Sequence, residues 1–138
     1  HSIRRRQRQM CIRDRAKRIY EENKKKGFWS EDVKERNFGE IIALCHSELS
    51  EALEADRGGK VAKLDVFDFC TEQAGMTSKE EFKSVFEKSI KDTKEDELAD
   101  AIIRILDYCG AMQIDIERHI ELKLSYNKTR AAKHGKSY

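Results

Sequence analysis

The sequence predicts an all-α protein, a four- to five-helix bundle, on three observations. The chain of 138 residues has no proline and only seven glycines, so little interrupts long helices. Charged residues make up 39% and hydrophobic residues 38%, a balance that suits amphipathic helices better than a strand-rich domain. Apolar residues also recur at i, i+3, i+4 and i+7, the spacing of one buried helix face. The length suits a single domain with its own core.

The first two predicted helices end at glycines. A short helix is predicted over 16–25, and Gly27 ends it. A longer helix is predicted over 37–57, and the pair Gly58-Gly59 stops it. The apolar stripe of this second helix consists of Phe38, Ile41, Ile42, Cys45, Leu49, Ala52 and Leu53.

The next stretch, 60–77, has only partial alternation and is predicted to be an irregular connection with at most one turn of helix. Ser78 followed by Glu81 has the form of a capping box, which predicts a helix over 79–90. The side chains of this helix expected to point inward are Phe82, Val85, Phe86 and Ile90.

Two more helices follow, each with a predicted capping residue. Thr93 can cap a helix over about 94–112, and Asp115 can cap a last helix over about 116–131. The predicted core positions of these two helices are Leu98, Ile102, Ile105, Leu106, Cys109, Met112, Ile116, Ile120 and Leu124.

Positive charge is concentrated at the N-terminus. Residues 1–15 hold six arginines and one aspartate, a net of +5, which leaves −3 for the rest of a chain whose total is +2. The string RRQRQMCIRD (5–14) resembles one frame of a translated sequencing adapter. We therefore expect 1–15 to be a non-native or disordered basic tail, and 16–136 to be the functional domain. A nucleic-acid partner would rest on this tail alone and is not expected.

Hydropathy and cysteine usage favour a cytoplasmic protein. No apolar run approaches the roughly 18 residues of a membrane span, so no membrane partner is expected. Nothing resembles a signal peptide, because no apolar segment follows the basic run. The four cysteines show no CxxC spacing, and Cys45 and Cys109 fall on apolar helix faces, where free buried thiols are ordinary. A reducing compartment is expected.

Two pairs of carboxylates are the main chemical signal. Glu48 and Glu51 are three residues apart on one predicted helix, and Glu97 and Asp100 repeat that spacing on another. Residues i and i+3 are neighbours on one helix face, so each pair presents two carboxylates side by side. If the two helices face each other, four acidic groups converge and repel one another unless a cation neutralises them. Since Mg²⁺ prefers carboxylate and water oxygens, the pattern predicts a magnesium site.

Single ExxE pairs also arise by chance on solvated helix faces, so position decides their weight. Glu48 falls within the apolar stripe of its helix, where a carboxylate is costly unless it is paired or bound to metal. Glu97 and Asp100 instead share a polar stripe with Arg104 and Asp107. A surface ion pair between Asp100 and Arg104 would explain part of that stripe. Asp107 is a possible extra metal ligand.

A basic face on the last helix complements the carboxylates. Lys123, Asn127 and Arg130 follow i, i+4 and i+7, and such a set suits the phosphates of a nucleotide. The alternative is a last turn whose basic residues complement the helix dipole. Trp29, the only tryptophan, either stacks on a nucleobase or packs on the bundle as a lid.

Three segments, in this order, resemble one protein family. They are ALCHSELSEALEADR (43–57), EDELADAIIRILDYC (95–109) and KLSYNKTRAAKHGK (123–136). Together they are similar to the MazG-like nucleotide pyrophosphohydrolases of the all-α NTP pyrophosphatase superfamily, and the resemblance covers roughly 16–136. The acidic pairs are typical of the superfamily, and the KxxYNxxR segment followed by HG is typical of the MazG-like group.

The resemblance implies a helical bundle that forms a homodimer or a homotetramer. It implies that Glu48, Glu51, Glu97 and Asp100 bind Mg²⁺, for which Mn²⁺ can substitute. A metal-activated water would attack between the α- and β-phosphates of a nucleoside triphosphate, giving the monophosphate and pyrophosphate, in nucleotide-pool housecleaning. Either Glu48 or Glu51 would double as general base. The resemblance assigns substrate contacts to Trp29, Lys123, Tyr126, Asn127 and Arg130.

Three alternatives remain open at the level of sequence. A phosphoribosyl-ATP pyrophosphohydrolase or a dUTPase-like enzyme would use the same metal and chemistry on another substrate. The long segment between the acidic pairs, 52–96, bears on this choice, since its extra capped helix can cover a base pocket. A non-enzymatic helical interaction domain would keep the fold and use the acidic face as surface.

Overall fold

A computed structural model of the chain describes residues 10–73 and 78–130. Over these ranges the structure contains six α-helices, one short 3-10 helix and no strand. The predicted all-α class is therefore confirmed. In chain order the helices are α1 (Ile12–Lys25), the 3-10 helix Val33–Glu35, α2 (Phe38–Arg57), α3 (Leu64–Gln73), α4 (Lys79–Ser89), α5 (Lys94–Ala111) and α6 (Ile116–Lys128).

Four helix starts carry side-chain capping contacts, and three of the capping residues, Ser78, Thr93 and Asp115, were predicted. The side chains of Asn37, Ser78 and Asp115 each accept a backbone N–H three residues on, at 3.2, 3.0 and 3.2 Å. Thr93 Oγ1 likewise accepts the N–H of Asp96 at 3.3 Å. Each bond satisfies a donor that the first turn of a helix leaves unpaired, which fixes where the helix begins.

The structure departs from the prediction by more than one residue in three places. Helix α1 begins at Ile12 rather than at residue 16, with Cys11 as its N-cap. Helix α6 ends at Lys128, before residue 131, and the predicted helical position 131 lies outside the described residues. The prediction of an irregular connection over 60–77 is wrong for 64–73, which forms α3. Of that predicted loop, 74–77 lies outside the described residues.

Helix α3 owes its stability to an aromatic cluster that it forms with α4. Phe67 packs edge-on against Phe82 and Phe86, with ring centroids 5.8 and 6.5 Å apart. Phe82 and Phe86 stack on each other at 6.1 Å. A ten-residue helix is marginal alone in water, so this tertiary packing decides its conformation.

The chain divides into two compact units, each described by itself. The terminal unit comprises His1–Glu35 and Leu106–Tyr138, and the central unit comprises Arg36–Ile105. The boundary falls inside α5. In the terminal unit, Ala16, Leu106 and Cys109 form a buried cluster. Gly110 on α5 lies so close to α1 that a Cβ there would stand 2.8 Å from Tyr20 Cβ.

In the central unit, α2 and the first part of α5 run antiparallel. Lys94 at the start of α5 pairs with Asp56 near the end of α2 at 2.8 Å, and Arg104 further along α5 pairs with Glu48 further back on α2 at 2.6 Å. The backbone N–H of Lys94 also donates to Lys60 at 3.0 Å, which fixes the chain after α2. The buried side chains of these two helices are Ile41, Cys45, Glu48, Ala52, Ala55, Glu97 and Ala101.

The predicted core stripes are only partly buried. Several apolar side chains expected inside the bundle are more than a third exposed, because each helix carries more apolar surface than its neighbours in the chain cover. These exposed residues are Phe38, Ile42, Leu49, Leu53, Phe82, Leu98, Ile102, Ile105, Ile120 and Leu124.

The cysteines are free thiols, and Cys45 and Cys109 are buried, as their apolar positions predict. Burial raises the pKa of the Cys109 thiol. No helix in the described part of the chain has both the length and the apolar character that crossing a membrane requires.

Candidate metal centre

Glu48 lies on the buried side of α2, where it faces α5. Glu48 is only 7% exposed, and Arg104 Nε donates to its Oε1 at 2.6 Å. A buried carboxylate needs such a partner, because removing an ion from water costs on the order of several kcal/mol when no opposite charge compensates it. The apolar stripe of α2 therefore contains one acidic position that α5 neutralises in part.

Two carboxylates of α5 join Glu48. Ligand oxygens of Glu48, Glu97 and Asp100 all lie within 4.8 Å of one another. Glu97 is 6% exposed, and Asp100, one turn further along, is more open than either glutamate. Three of the four predicted metal ligands are thus brought together in the central unit, and their separation is one that a single cation can span.

The carboxylate of Glu97 is the least compensated group of this cluster. Within 10–73 and 78–130 no hydrogen bond or ion pair joins its side chain. Burial, followed by the charges of Glu51 and Asp100, raises the pKa of Glu97 to about 7. Burial and the neighbouring carboxylates also raise the pKa of Asp100, although the Arg104 charge opposes that shift. The site is therefore short of positive charge.

Glu51 lies at the open edge of the site. It is exposed, and Ser47 Oγ donates to its Oε1 at 3.5 Å. It does not belong to the group of three within 4.8 Å, but its charge acts on both Glu97 and Asp100. The structure thus separates the first predicted pair into a buried Glu48 and a solvent-facing Glu51.

A second acidic group shares Glu97. Oxygens of Asp92, Asp96 and Glu97 also lie within 4.8 Å of one another. Asp96 already accepts the backbone N–H of Asp92 at 3.0 Å, and Lys91 pairs with Asp92 at 3.2 Å. These contacts give Asp92 and Asp96 a role in the turn before α5, where Asp92 has a positive φ of 60°.

The five predicted substrate contacts lie in the terminal unit. Trp29 is 7% exposed, its indole N–H donates to Asp107 Oδ1 at 3.0 Å, and its ring meets Tyr20 edge-on at 5.7 Å. Asn23 donates to the other oxygen, Asp107 Oδ2, at 3.0 Å. The indole is packed within its unit, and Asp107, considered above as an extra metal ligand, holds the tryptophan loop instead.

The basic face of α6 is exposed and partly assembled. Lys123 Nζ lies 5.1 Å from the centroid of the Tyr126 ring, and Arg130 Cζ lies 5.8 Å from it. Asn127 lies in the same turn, where its carbonyl accepts the N–H of Arg130 at 3.2 Å. The tyrosine ring therefore gathers two cations on the surface of the terminal unit.

Arg104 is the site residue that sequence reasoning placed wrongly. Its position four residues after Asp100 indicated a local surface pair, but in the structure it pairs with Glu48 of the facing helix. The pairing could have been inferred from the acidic position within the apolar stripe of α2. A buried Glu48 needs a positively charged partner on the helix that covers it.

Comparisons with protein-family models, with curated proteins and with solved structures give no match to this chain.

Proposed function

We propose that this chain is a Mg²⁺-dependent pyrophosphohydrolase that cleaves nucleoside triphosphates between the α- and β-phosphates, releasing the monophosphate and pyrophosphate. The observation that carries the proposal is Glu97, a carboxylate that is 6% exposed, has no partner in the described residues and belongs to a cluster within 4.8 Å. A folded protein keeps such a group only if something else compensates it.

The residues fit a hard divalent cation. Glu48, Glu97 and Asp100 offer carboxylate oxygens only, and no histidine or cysteine belongs to the group. When bound, Mg²⁺ would neutralise phosphate charge and make a water more acidic. The three carboxylates would hold the cation, and their positions on two packed helices would orient it.

Glu51 is the best candidate for the general base of this reaction. Glu48 is committed to Arg104, whereas Glu51 is open to solvent beside the cluster and receives only the weak contact from Ser47. An exposed carboxylate next to the ligands can accept a proton from an attacking water. Lys123, Asn127 and Arg130 stay predictions as phosphate contacts, and Tyr126 and Trp29 as contacts to the sugar and base.

Pyrophosphate release from a panel of nucleotides tests the proposal. The panel contains the four dNTPs, the four NTPs, dUTP and phosphoribosyl-ATP, each with Mg²⁺ and with EDTA. We expect Mg²⁺-dependent release, which Glu51→Gln lowers about 10²- to 10⁴-fold. Asp100→Asn should also abolish it. The control Glu54→Gln changes an exposed carboxylate on the same helix that pairs with Arg57, and should keep full activity.

The preferred substrate separates the enzymatic alternatives, since dUTP or phosphoribosyl-ATP selectivity would identify those variants of the reaction. One observation favours a non-enzymatic interaction domain, namely that Arg104 already compensates Glu48 without a metal. Pyrophosphate release from none of these nucleotides, by protein shown to be folded, would support that second candidate.

We also propose that the chain forms a homodimer through the central unit. Ile42, Leu49 and Leu53 lie roughly a quarter turn around α2 from the buried stripe, at 100° per residue. On α5, three exposed apolar residues are offset in the same rotational direction from the buried Glu97 and Ala101. They are Leu98, Ile102 and Ile105. Because the helices are antiparallel, both stripes open on one side of the pair.

These six side chains, each 37–57% exposed, form an apolar patch that a second copy can cover. At roughly 80 Å² each they offer on the order of 500 Å², most of the about 800 Å² that each partner buries in a standard interface. A pair of antiparallel helices docked on its own copy gives a four-helix arrangement, and a two-fold axis needs only this one patch.

A further inference from the structure

Arg104 stands beside the carboxylate cluster and uses little of its hydrogen-bonding capacity there. Nε donates to Glu48 Oε1 at 2.6 Å, which engages one of the five N–H groups of a guanidinium. In the part of the chain that the structure describes, the Arg104 guanidinium donates to no other carboxylate or carbonyl. Its side chain is 38% exposed, so the outer nitrogens can be reached from solvent.

Its position on α5 puts this guanidinium next to the metal ligands. Arg104 follows Asp100 by four residues and Glu97 by seven, so all three share one face of the helix. Across the helix pair it touches Glu48, the third member of the cluster. A cation held by these carboxylates and a polyphosphate bound to that cation would therefore lie within reach of the arginine.

We propose that Arg104 is a phosphate-binding residue of this site, which holds Glu48 through Nε and binds the polyphosphate chain of the substrate through its outer N–H groups. The planar fork of arginine suits both tasks at once, because its N–H groups point in separate fixed directions. This inference rests on the proposed function, since it assigns the site a polyphosphate ligand.

The rival role is purely structural, with Arg104 present only to neutralise Glu48. Arg104→Lys separates the two roles. A lysine ammonium can still pair with the buried carboxylate, but it is a single point of charge and cannot also provide the second, outward-facing fork. Arg104→Gln removes the charge altogether and leaves Glu48 without a cation, so it tests the structural role more severely.

The experiment is calorimetric titration of the full chain, first with Mn²⁺ alone and then, at saturating Mn²⁺, with inorganic tripolyphosphate. We expect Arg104→Lys to bind Mn²⁺ within about threefold of the wild type and to bind tripolyphosphate about 10- to 100-fold more weakly, as loss of a charged hydrogen bond predicts. The matched control Arg57→Lys, at an exposed arginine that pairs with Glu54 on α2, should bind both like the wild type.

Four outcomes would overturn the inference. If Arg104→Lys, or a folded Arg104→Gln, bound tripolyphosphate as tightly as the wild type, the role of Arg104 would be limited to its pairing with Glu48. Equal loss of Mn²⁺ and tripolyphosphate binding in Arg104→Lys would mean that the arginine shapes the metal ligands. Mn²⁺ binding by the wild type without tripolyphosphate binding would remove the ligand. No Mn²⁺ binding by the wild type would overturn the proposed function itself, and the inference with it.

Discussion

At the scale of single residues, Glu97 is the site residue whose ionised form the folded protein disfavours most. Its carboxyl group is buried beside other carboxylates, and its pKa is raised from 4.5 to about 7. Between these values the unfolded chain has released a proton that the folded protein still holds. The stability that Glu97 contributes is therefore fully present below about pH 4.5 and is lost as the pH rises through about 7.

Thermal unfolding in EDTA tests whether stability falls with rising pH in this way. We expect the melting temperature of the wild type to fall as the pH rises from about 5 to 8, and Glu97→Gln to weaken that dependence because its side chain does not titrate. At the upper pH, Mn²⁺ should raise the melting temperature of the wild type more than that of the variant.

Glu87→Gln is the control for this measurement, since Glu87 is a more exposed glutamate paired with Lys83 on α4. It should keep the wild-type pH dependence. An identical pH dependence in Glu97→Gln and the wild type would show that Glu97 is not the group responsible.

The residue scale also shows how far the sequence determines a site. Glu48 could be predicted, because an acidic residue at an apolar position is conspicuous within one helix. The pairing of Arg104 could not, since helical spacing offered Asp100 as a local partner and only the packing of α5 on α2 selects Glu48. Spacing within a helix fixes which residues share a face, whereas the partner across the interface depends on tertiary structure.

At the scale of elements, caps were predictable and one helix was not. The starts of α2, α4, α5 and α6 depend on side chains within three residues, which a sequence displays directly. Helix α3 depends instead on the contact of Phe67 with two rings of α4, and the alternating pattern of VAKLDVFDFC conceals it. Local chemistry was therefore sufficient for these four helix starts, but long-range packing overrode the local pattern for α3.

The close approach of α1 and α5 gives a prediction at the element scale. Gly110→Ala should destabilise the protein by about 1–3 kcal/mol, because the new Cβ would collide with the Ala16 carbonyl and stand 2.8 Å from Tyr20 Cβ. The same change in an open helix interior would stabilise it by about 0.5–1 kcal/mol. Urea denaturation measures the difference.

Gly58→Ala is the matched control, since its Cβ would meet only ordinary contacts of 3.5 Å or more. We expect its free energy of unfolding to stay within about 0.5 kcal/mol of that of the wild type. A Gly110→Ala variant as stable as this control would contradict the close contact of the two helices.

At the scale of the whole molecule, periodicity identified apolar faces without showing what covers them. The stripe with Leu49 and Leu53 and the stripe with Ile102 were both predicted to be core, and both are exposed in the single chain. A sequence pattern cannot distinguish burial by the same chain from burial by a second copy, because both require the same apolar surface.

The proposed homodimer makes this distinction measurable. Leu53→Lys should shift the sedimentation-equilibrium mass toward that of one chain, because a charge within an apolar interface is desolvated without a partner. Ser50→Lys adds the same charge to the same helix, about a quarter turn from the patch, and should leave the mass unchanged. A wild-type protein that sediments as a single chain would contradict the homodimer.

The contact between Trp29 and Asp107 has a practical consequence. The chain contains one tryptophan, and its indole is buried, hydrogen-bonded to a carboxylate and in contact with Tyr20. Its fluorescence therefore arises from a single, well-defined environment in the terminal unit. Emission will move to longer wavelength when that environment opens to water, so the protein carries an intrinsic optical reporter. Comparing this signal with far-ultraviolet circular dichroism, which follows the helices of both units, would reveal whether the terminal unit unfolds with the rest of the chain.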